Sequence, residues 1–208
     1  MLSCAKCGRY TCREGKPGNL PQDCPMQSYG DVYEEAGQAY QGTDGRLAYL
    51  AAKIEATGYG IWPRLREIME FSNMAGFTRL GLAFCVGLRR EALEVTRILE
   101  NNGFTVLSVI CKTGAKAKEE LGIRDEEKVR PGRFEAMCNP IAQAKLLNVE
   151  KPDLNILLGL CVGHDTLFIK HSHAPITVLA AKDRVTGHNP LAAIYASHYF
   201  SGKLQADK

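Results

Sequence analysis

The sequence predicts an α/β fold, a mostly parallel sheet flanked by helices, preceded by a cysteine-rich knot and a helical segment. Three observations predict it. Short apolar runs alternate with helical patterns from residue 79 onward, as parallel β-α-β units require. Four cysteines fall in the first two dozen residues, in a stretch rich in Gly, Pro, Lys and Arg with little apolar side chain. Between these regions, leucines, isoleucines and alanines recur at helical spacing.

Residues 1–28 read as a metal-binding knot. Cys4, Cys7, Cys12 and Cys24 follow the spacing C-x2-C-x4-C-x11-C, and Gly8, Gly15, Pro17, Gly18, Pro21 and Pro25 punctuate it. Two residues between Cys4 and Cys7 let both sulfurs face one ion, and Gly8 permits a turn whose amides can bond to sulfur. Cys12 and Cys24 can close a tetrahedron, with Zn–S bonds of ~2.3 Å. Such a metal would supply folding energy that the segment lacks in apolar groups. Zinc is preferred; an iron–sulfur cluster, also held by four cysteines, is the competitor that spacing does not remove.

Residues 29–78 read as helices at Tyr29–Tyr40, Arg46–Thr57 and Arg64–Met74, separated by Gly42, Gly45, Gly58 and Gly60. Residues 79–208 read as the α/β domain. Strands are expected at Leu80–Cys85, Thr105–Cys111, Asn155–Cys161 and Ile176–Ala181, with helices at Arg89–Asn101 and His164–Lys170. Asn139-Pro140 and Asn189-Pro190 each look like an N-cap followed by proline at the first helical position, the second opening a final helix through Tyr199. The two halves echo one another: Leu82-Ala83-Phe84-Cys85-Val86-Gly87 against Leu158-Gly159-Leu160-Cys161-Val162-Gly163. Each is followed by a strand ending in lysine, Lys112 or Lys182. An internal βαβ duplication would explain the echo.

Composition bounds the function. The chain has 208 residues, 45% of them apolar and 24% charged, and a formal charge of +3. That surplus is too small to argue for nucleic acid, and no basic run interleaved with aromatics appears. The longest apolar stretches are too short for a membrane span. Met1-Leu2-Ser3 leads into the cysteines with no apolar run of a secretory signal, so the eight cysteines are expected in a reducing, cytoplasmic setting. The expected partner is a small molecule or a protein.

The other four cysteines set the functional question. Cys85, Cys111 and Cys161 are each expected at the carboxyl end of a strand, and Cys138 just before a helix start. These places share the edge where open α/β sheets gather their sites. Cys85 and Cys138 are candidate metal ligands there, Cys111 and Cys161 candidate nucleophiles or ligands, and His164 a base or ligand. Lys112, Lys182 and Asp165 are candidates for holding an anionic or polar ligand. Against this stands the tendency of free cysteine to fill cores. A non-catalytic zinc-stabilised interaction module, or a small-molecule binding module, is the alternative reading. No P-loop is present and no G-x-G-x-x-G follows a strand, so nucleotide binding lacks its usual marks.

Met137-Cys138-Asn139-Pro140-Ile141, Gly159-Leu160-Cys161-Val162-Gly163-His164-Asp165 and the run from Lys182 to Pro190, with the N-terminal cysteines, resemble one family. It is the uncharacterised prokaryotic domain-of-unknown-function family 1847, whose members are commonly described as candidate metal-binding proteins. The resemblance implies metal binding and an archaeal or bacterial source. It implies no particular reaction.

Overall fold

The short apolar runs read as strands are strands in a computed structural model, which describes residues 2–15, 18 and 20–205, and the two central ones are buried along nearly their whole length. Four strands, β1 (Arg79–Phe84), β2 (Thr105–Ile110), β3 (Leu154–Leu158) and β4 (Ile176–Ala180), form one parallel sheet in the order β2-β1-β3-β4. The chain is α/β, as the sequence predicts.

Contacts divide the chain between Tyr59 and Gly60 into two compact units. The first holds α1 (Pro25–Ser28), α2 (Gly30–Ala39) and α3 (Thr43–Gly58). The second begins with α4 (Arg64–Ala75) and contains the sheet, with α5 (Arg89–Asn101), α6 (Pro140–Glu150), α7 (His164–His171), α8 (Leu191–Tyr195) and α9 (Ser197–Phe200).

Side chains two apart share a face of a strand, and this sorts the second unit into three layers. Leu80 and Leu82 of β1 and Leu154, Ile156 and Leu158 of β3 pack with Ile68 of α4 and with Ala92, Val95 and Leu99 of α5. Ala83 and Leu157, on the opposite face, pack with Ala144 and Leu147 of α6 and Phe168 of α7. The α5 triplet falls at helical spacing, so one stripe of the helix covers the sheet while its charged residues face outward. Gly103, at φ +87°, ends that helix and lets Phe104 donate back to Leu99 O at 3.2 Å. Asn139 caps α6 as expected, its Oδ1 accepting from Ala142 N at 3.1 Å.

Three expectations change. The third strand stops at Leu158 rather than Cys161, because Gly159 (φ +64°) turns the chain out of the sheet. The final helix is two short pieces broken at Ala196 (φ −103°, ψ 35°), and no Asn189 side chain caps it. Between β2 and α6 lies a long irregular segment, residues 112–139, with one antiparallel bridge from Ala117 to Ala136. An interior ammonium holds that segment together: Lys128 Nζ lies 2.7 Å from Glu119, 2.6 Å from Asp125 and 2.7 Å from Arg133 O. Lys118 and Glu135 add a pair at 2.5 Å. No helix among the described residues is long and apolar enough to cross a membrane.

Candidate functional site

Strand order fixes where a site belongs. The chain runs from β1 to β2 on one side and then returns to place β3 on the other, so the order reverses between β1 and β3. Ligands of open α/β sheets bind outside the carboxyl ends at such a reversal. The edge cysteines meet there. Cys85 follows β1 directly, its amide bonded to Leu158 O at 3.2 Å. Cys111 follows β2, its amide bonded to Phe84 O at 2.9 Å. The irregular segment returns Cys138 to them, because Asn139 N donates to Cys111 O at 2.7 Å.

The Sγ atoms of Cys111 and Cys138 lie 3.9 Å apart, and Cys85 shares a hydrogen bond with Cys111 from the other side. Cys85 and Cys111 are buried and Cys138 is half-buried, with Ala83, Ala144 and Leu147 in the same cluster. Cys161 lies in the turn after β3, half-buried, beside the Arg184 guanidinium (Nη2 to Sγ, 3.3 Å).

Each of the four sulfurs has its own donor. Val86 N donates to Cys111 Sγ at 3.3 Å. The Gly87 amide and Lys182 ammonium serve Cys85, Lys112 serves Cys138, and Arg184 serves Cys161. The Cys111 S–H holds the Cys85 thiol down to about 5 against the opposing cost of burial, with Gly87 N and Lys182 assisting. The same donor holds Cys138 down to about 5, again against burial, helped by the charges of Lys112 and His164. Cys111, donor to both neighbours, is pushed far above the usual thiol range. One S–H reaches one acceptor at a time, so the Cys111 proton turns to Cys85 or to Cys138 and lowers one of them at a time. Contact with the Cys161 sulfur in turn raises the Arg184 pKa.

Gly87 makes room for the lysine and Gly159 for Leu88. A Cβ on Gly87 would stand 3.3 Å from Lys182 Nζ, and one on Gly159 would stand 3.9 Å from it and 2.1 Å from Leu88 Cδ1. Beneath the sulfurs, buried Gln143 of α6 donates through Nε2 to Phe84 O at 3.3 Å and Val109 O at 2.7 Å, tying the ends of β1 and β2 together. Its Oε1 has no partner among the described residues.

The sequence-predicted residues divide accordingly. Cys85, Cys111, Cys138, Lys112 and Lys182 come together, and Cys161 joins them through Arg184. His164 opens α7 three residues after Cys161, but its charge acts on Cys138. Asp165 directs its carboxylate to Thr166 N at 2.8 Å and reaches no thiol. Arg184, which lies in the Lys182–Pro190 run of the family resemblance but is not among the candidate site residues, is the residue that site reasoning missed. Asp183 folds that loop, accepting from Val185 N at 2.8 Å and Thr186 N at 3.0 Å. A charged Lys-Asp-Arg run directly after a strand is the signal that points to it.

In the first unit, Cys4, Cys7, Cys12 and Cys24 line one concavity, together with Ser3, Asp23 and Tyr10. Cys7 N bonds to Cys4 O at 3.0 Å, and the Ser3 hydroxyl donates to Asp23. The amides of Tyr10 and Arg9 donate to the Cys7 sulfur and lower its pKa. Backbone donors thus face one sulfur of the Cys-x2-Cys-Gly run. The soft donor set suits zinc or iron. At the sheet edge, the 3.9 Å between Cys111 and Cys138 matches the edge of a thiolate tetrahedron, ~3.8 Å for ~2.3 Å metal–sulfur bonds. Even so, no group of three or more His, Cys, Asp or Glu among the described residues is arranged to hold a metal ion.

The comparisons with known proteins give a family and no activity. An uncharacterised protein of Methanocaldococcus jannaschii is 39% identical over 205 residues, covering 98% of this chain and 99% of that one. No solved structure matches. The family described as Protein of unknown function (DUF1847) matches residues 24–179, a span with Cys24 and all four edge cysteines but not Cys4, Cys7 or Cys12. The chain, with its parallel sheet and thiol-lined edge, belongs to the DUF1847 family.

Proposed function

We propose that this is a cytoplasmic metalloprotein whose chemistry resides in the sheet-edge thiols, with a metal at the N-terminal cysteines serving structure. The observation that carries the reading is the provision of a separate N–H donor to each of four neighbouring sulfurs. Core-filling thiols need no such donors, since an S–H is a weak polar group content among apolar neighbours. The Gly87 amide and the two lysines aimed at Cys85 and Cys138 favour thiolate, the nucleophilic form, at those two sulfurs. Thiol redox or sulfur-handling chemistry is the reaction class. Cys161, half-buried and held by Arg184, is the entry nucleophile; Cys111 and Cys138 are the adjacent pair beside it, and His164 exchanges protons with Cys138.

Cys4, Cys7, Cys12 and Cys24 would hold zinc or, as the competitor, an iron–sulfur cluster. Such sites gather their ligands as the metal binds, and the bound ion would cross-link a segment with no buried side chain among its described residues. The proposed partner is a small molecule or a protein.

Two measurements test this on anaerobically prepared protein. Metal quantification with an absorption spectrum is expected to give zinc and no visible bands, while iron with visible bands would give the N-terminal site to a cluster. Absence of both overturns the metal reading. Titration of native thiols with a chromogenic disulfide is expected to consume edge cysteines before unfolding. Edge cysteines that react only after denaturation overturn the thiol reading.

A further inference from the structure

Two cations at the edge are partnered by sulfur and not by carboxylate among the described residues. Neither Lys182 nor Arg184 makes an ion pair with a carboxylate of the described residues. Both come from the chain leaving β4, at the switch point where ligands of such sheets bind. Each commits one donor to a sulfur, out of the three of an ammonium and the five of a guanidinium. The first amides of α7 are already taken: His164 N and Asp165 N bond to Cys161 O, and Thr166 N to Asp165. The helix start therefore offers no anion site, and any anion must be met by the side chains.

We propose that the sheet edge at the carboxyl ends of β1 and β3 binds a small tetrahedral oxyanion, gripped by Lys182 and Arg184 beside Cys161. This deepens the thiol reading by assigning the substrate class: a molecule with a sulfate-like or phosphate-like group seated next to the entry thiol. Lys182 supplies a point charge against Gly87, where a side chain would crowd it, and Arg184 supplies the planar fork suited to oxyanions. Asp183, which folds the loop on its own amide contacts, sets the guanidinium against Cys161 before any ligand arrives.

Calorimetric titration of the full-length protein with sodium sulfate, and separately with sodium phosphate, tests the proposal against sodium chloride at matched ionic strength. Saturable binding of sulfate or phosphate is expected. Removing one charge-assisted contact by Lys182→Met or Arg184→Met should weaken it roughly tenfold or more. Arg184→Lys, which keeps the charge and loses the fork, should fall between, and Lys145→Met on the exposed side of α6 should change nothing. Sulfate and phosphate heats no larger than those of chloride overturn the proposal. So does equal weakening by Lys145→Met and Lys182→Met, which is bulk electrostatics. Iodoacetamide labelling of Cys161 without added anion separates the two readings. A reactive Cys161 with no anion binding leaves the thiol reading standing and removes the anion site, and an inert Cys161 with sulfate bound does the reverse.

Discussion

Replacing Cys111 by alanine removes the donor that two neighbouring sulfurs share, and the consequence can be worked through. With a pKa of about 5, Cys138 is almost wholly thiolate at pH 6. An ordinary thiol of pKa ~8.5 has only ~0.3% thiolate there, so the fraction favours Cys138 by ~300-fold. Nucleophilicity falls as pKa falls, with a slope of ~0.4–0.5, so some 3.5 units cost ~25- to 60-fold. The net expectation is alkylation of Cys138 about 5- to 10-fold faster than a free thiol at pH 6, and roughly equal at pH 7. The shape of the profile is therefore the informative quantity. Iodoacetamide labelling from pH 5 to 9, mapped by mass spectrometry, should give a Cys138 rate that is flat above pH 6 and falls towards half near pH 5. In Cys111→Ala the midpoint should climb towards the ordinary thiol range, because Lys112 and His164 remain but the largest lowering contribution is gone. The sign follows from the depressed pKa: the thiolate is present above the folded-state midpoint and lost as pH falls through it. A native Cys138 that titrates near 8.5, or a profile unmoved by Cys111→Ala, would refute the shared-donor account.

Further expectations follow from the same geometry. Gly159→Ala places a Cβ 2.1 Å from buried Leu88 on a residue at φ +64°, so urea unfolding should show a loss of about 2–5 kcal/mol, and an unchanged midpoint would contradict it. Gln143→Met keeps the volume but withdraws hydrogen bonds from Phe84 O and Val109 O, so a loss of about 1–3 kcal/mol is expected by the same assay. Lys128→Met leaves Glu119, Asp125 and Arg133 O without their common donor. Hydrogen exchange should then quicken across residues 112–139 while the amides of β1 and β3 keep their protection. Chelation, or Cys24→Ser, should expose residues 1–28 to protease and leave the melting temperature of the second unit unchanged.

The strands were legible because each is a short apolar run bounded by turn residues, and α5 because its buried residues fall at strict helical spacing. The extent of α6 was not, beyond its Asn139-Pro140 start. Its buried face includes Gln143, which is fully enclosed, so the apolar stripe is interrupted where a polar side chain serves the strand ends. The segment 112–139 carries no period at all; its order comes from buried Lys128, whose charge reads in sequence as a solvated residue. The meeting of Cys85, Cys111 and Cys138 followed from their expected strand-end and helix-start positions. Arg184 required the strand order, since only a β4 placed beside β3 brings its following loop to Cys161.

Strand order also changes the meaning of the internal echo. In sequence, Cys85 is matched by Cys161 and Lys112 by Lys182, as if each half held its own cysteine and lysine. In the sheet, β1 and β3 are central and adjacent, and β2 and β4 are the outer strands. The matched cysteines therefore flank the switch point, and the matched lysines approach from opposite sides. The partners cross between halves: Lys182, from the second, serves Cys85 of the first, and the guanidinium two residues later takes Cys161. Lys112 stays on its own side and serves Cys138, with its Nζ also bonded to Ala136 O at 2.6 Å. A site whose sulfur of one half is held by the cation of the other cannot be assembled from either half alone. Two separate βαβ units with private cysteines would place each lysine beside its own cysteine, and the Lys182–Cys85 contact is what distinguishes a joint site from that arrangement. Lys182→Met should accordingly alter the reactivity of Cys85 more than that of Cys161, an ordering that a half-by-half site would reverse.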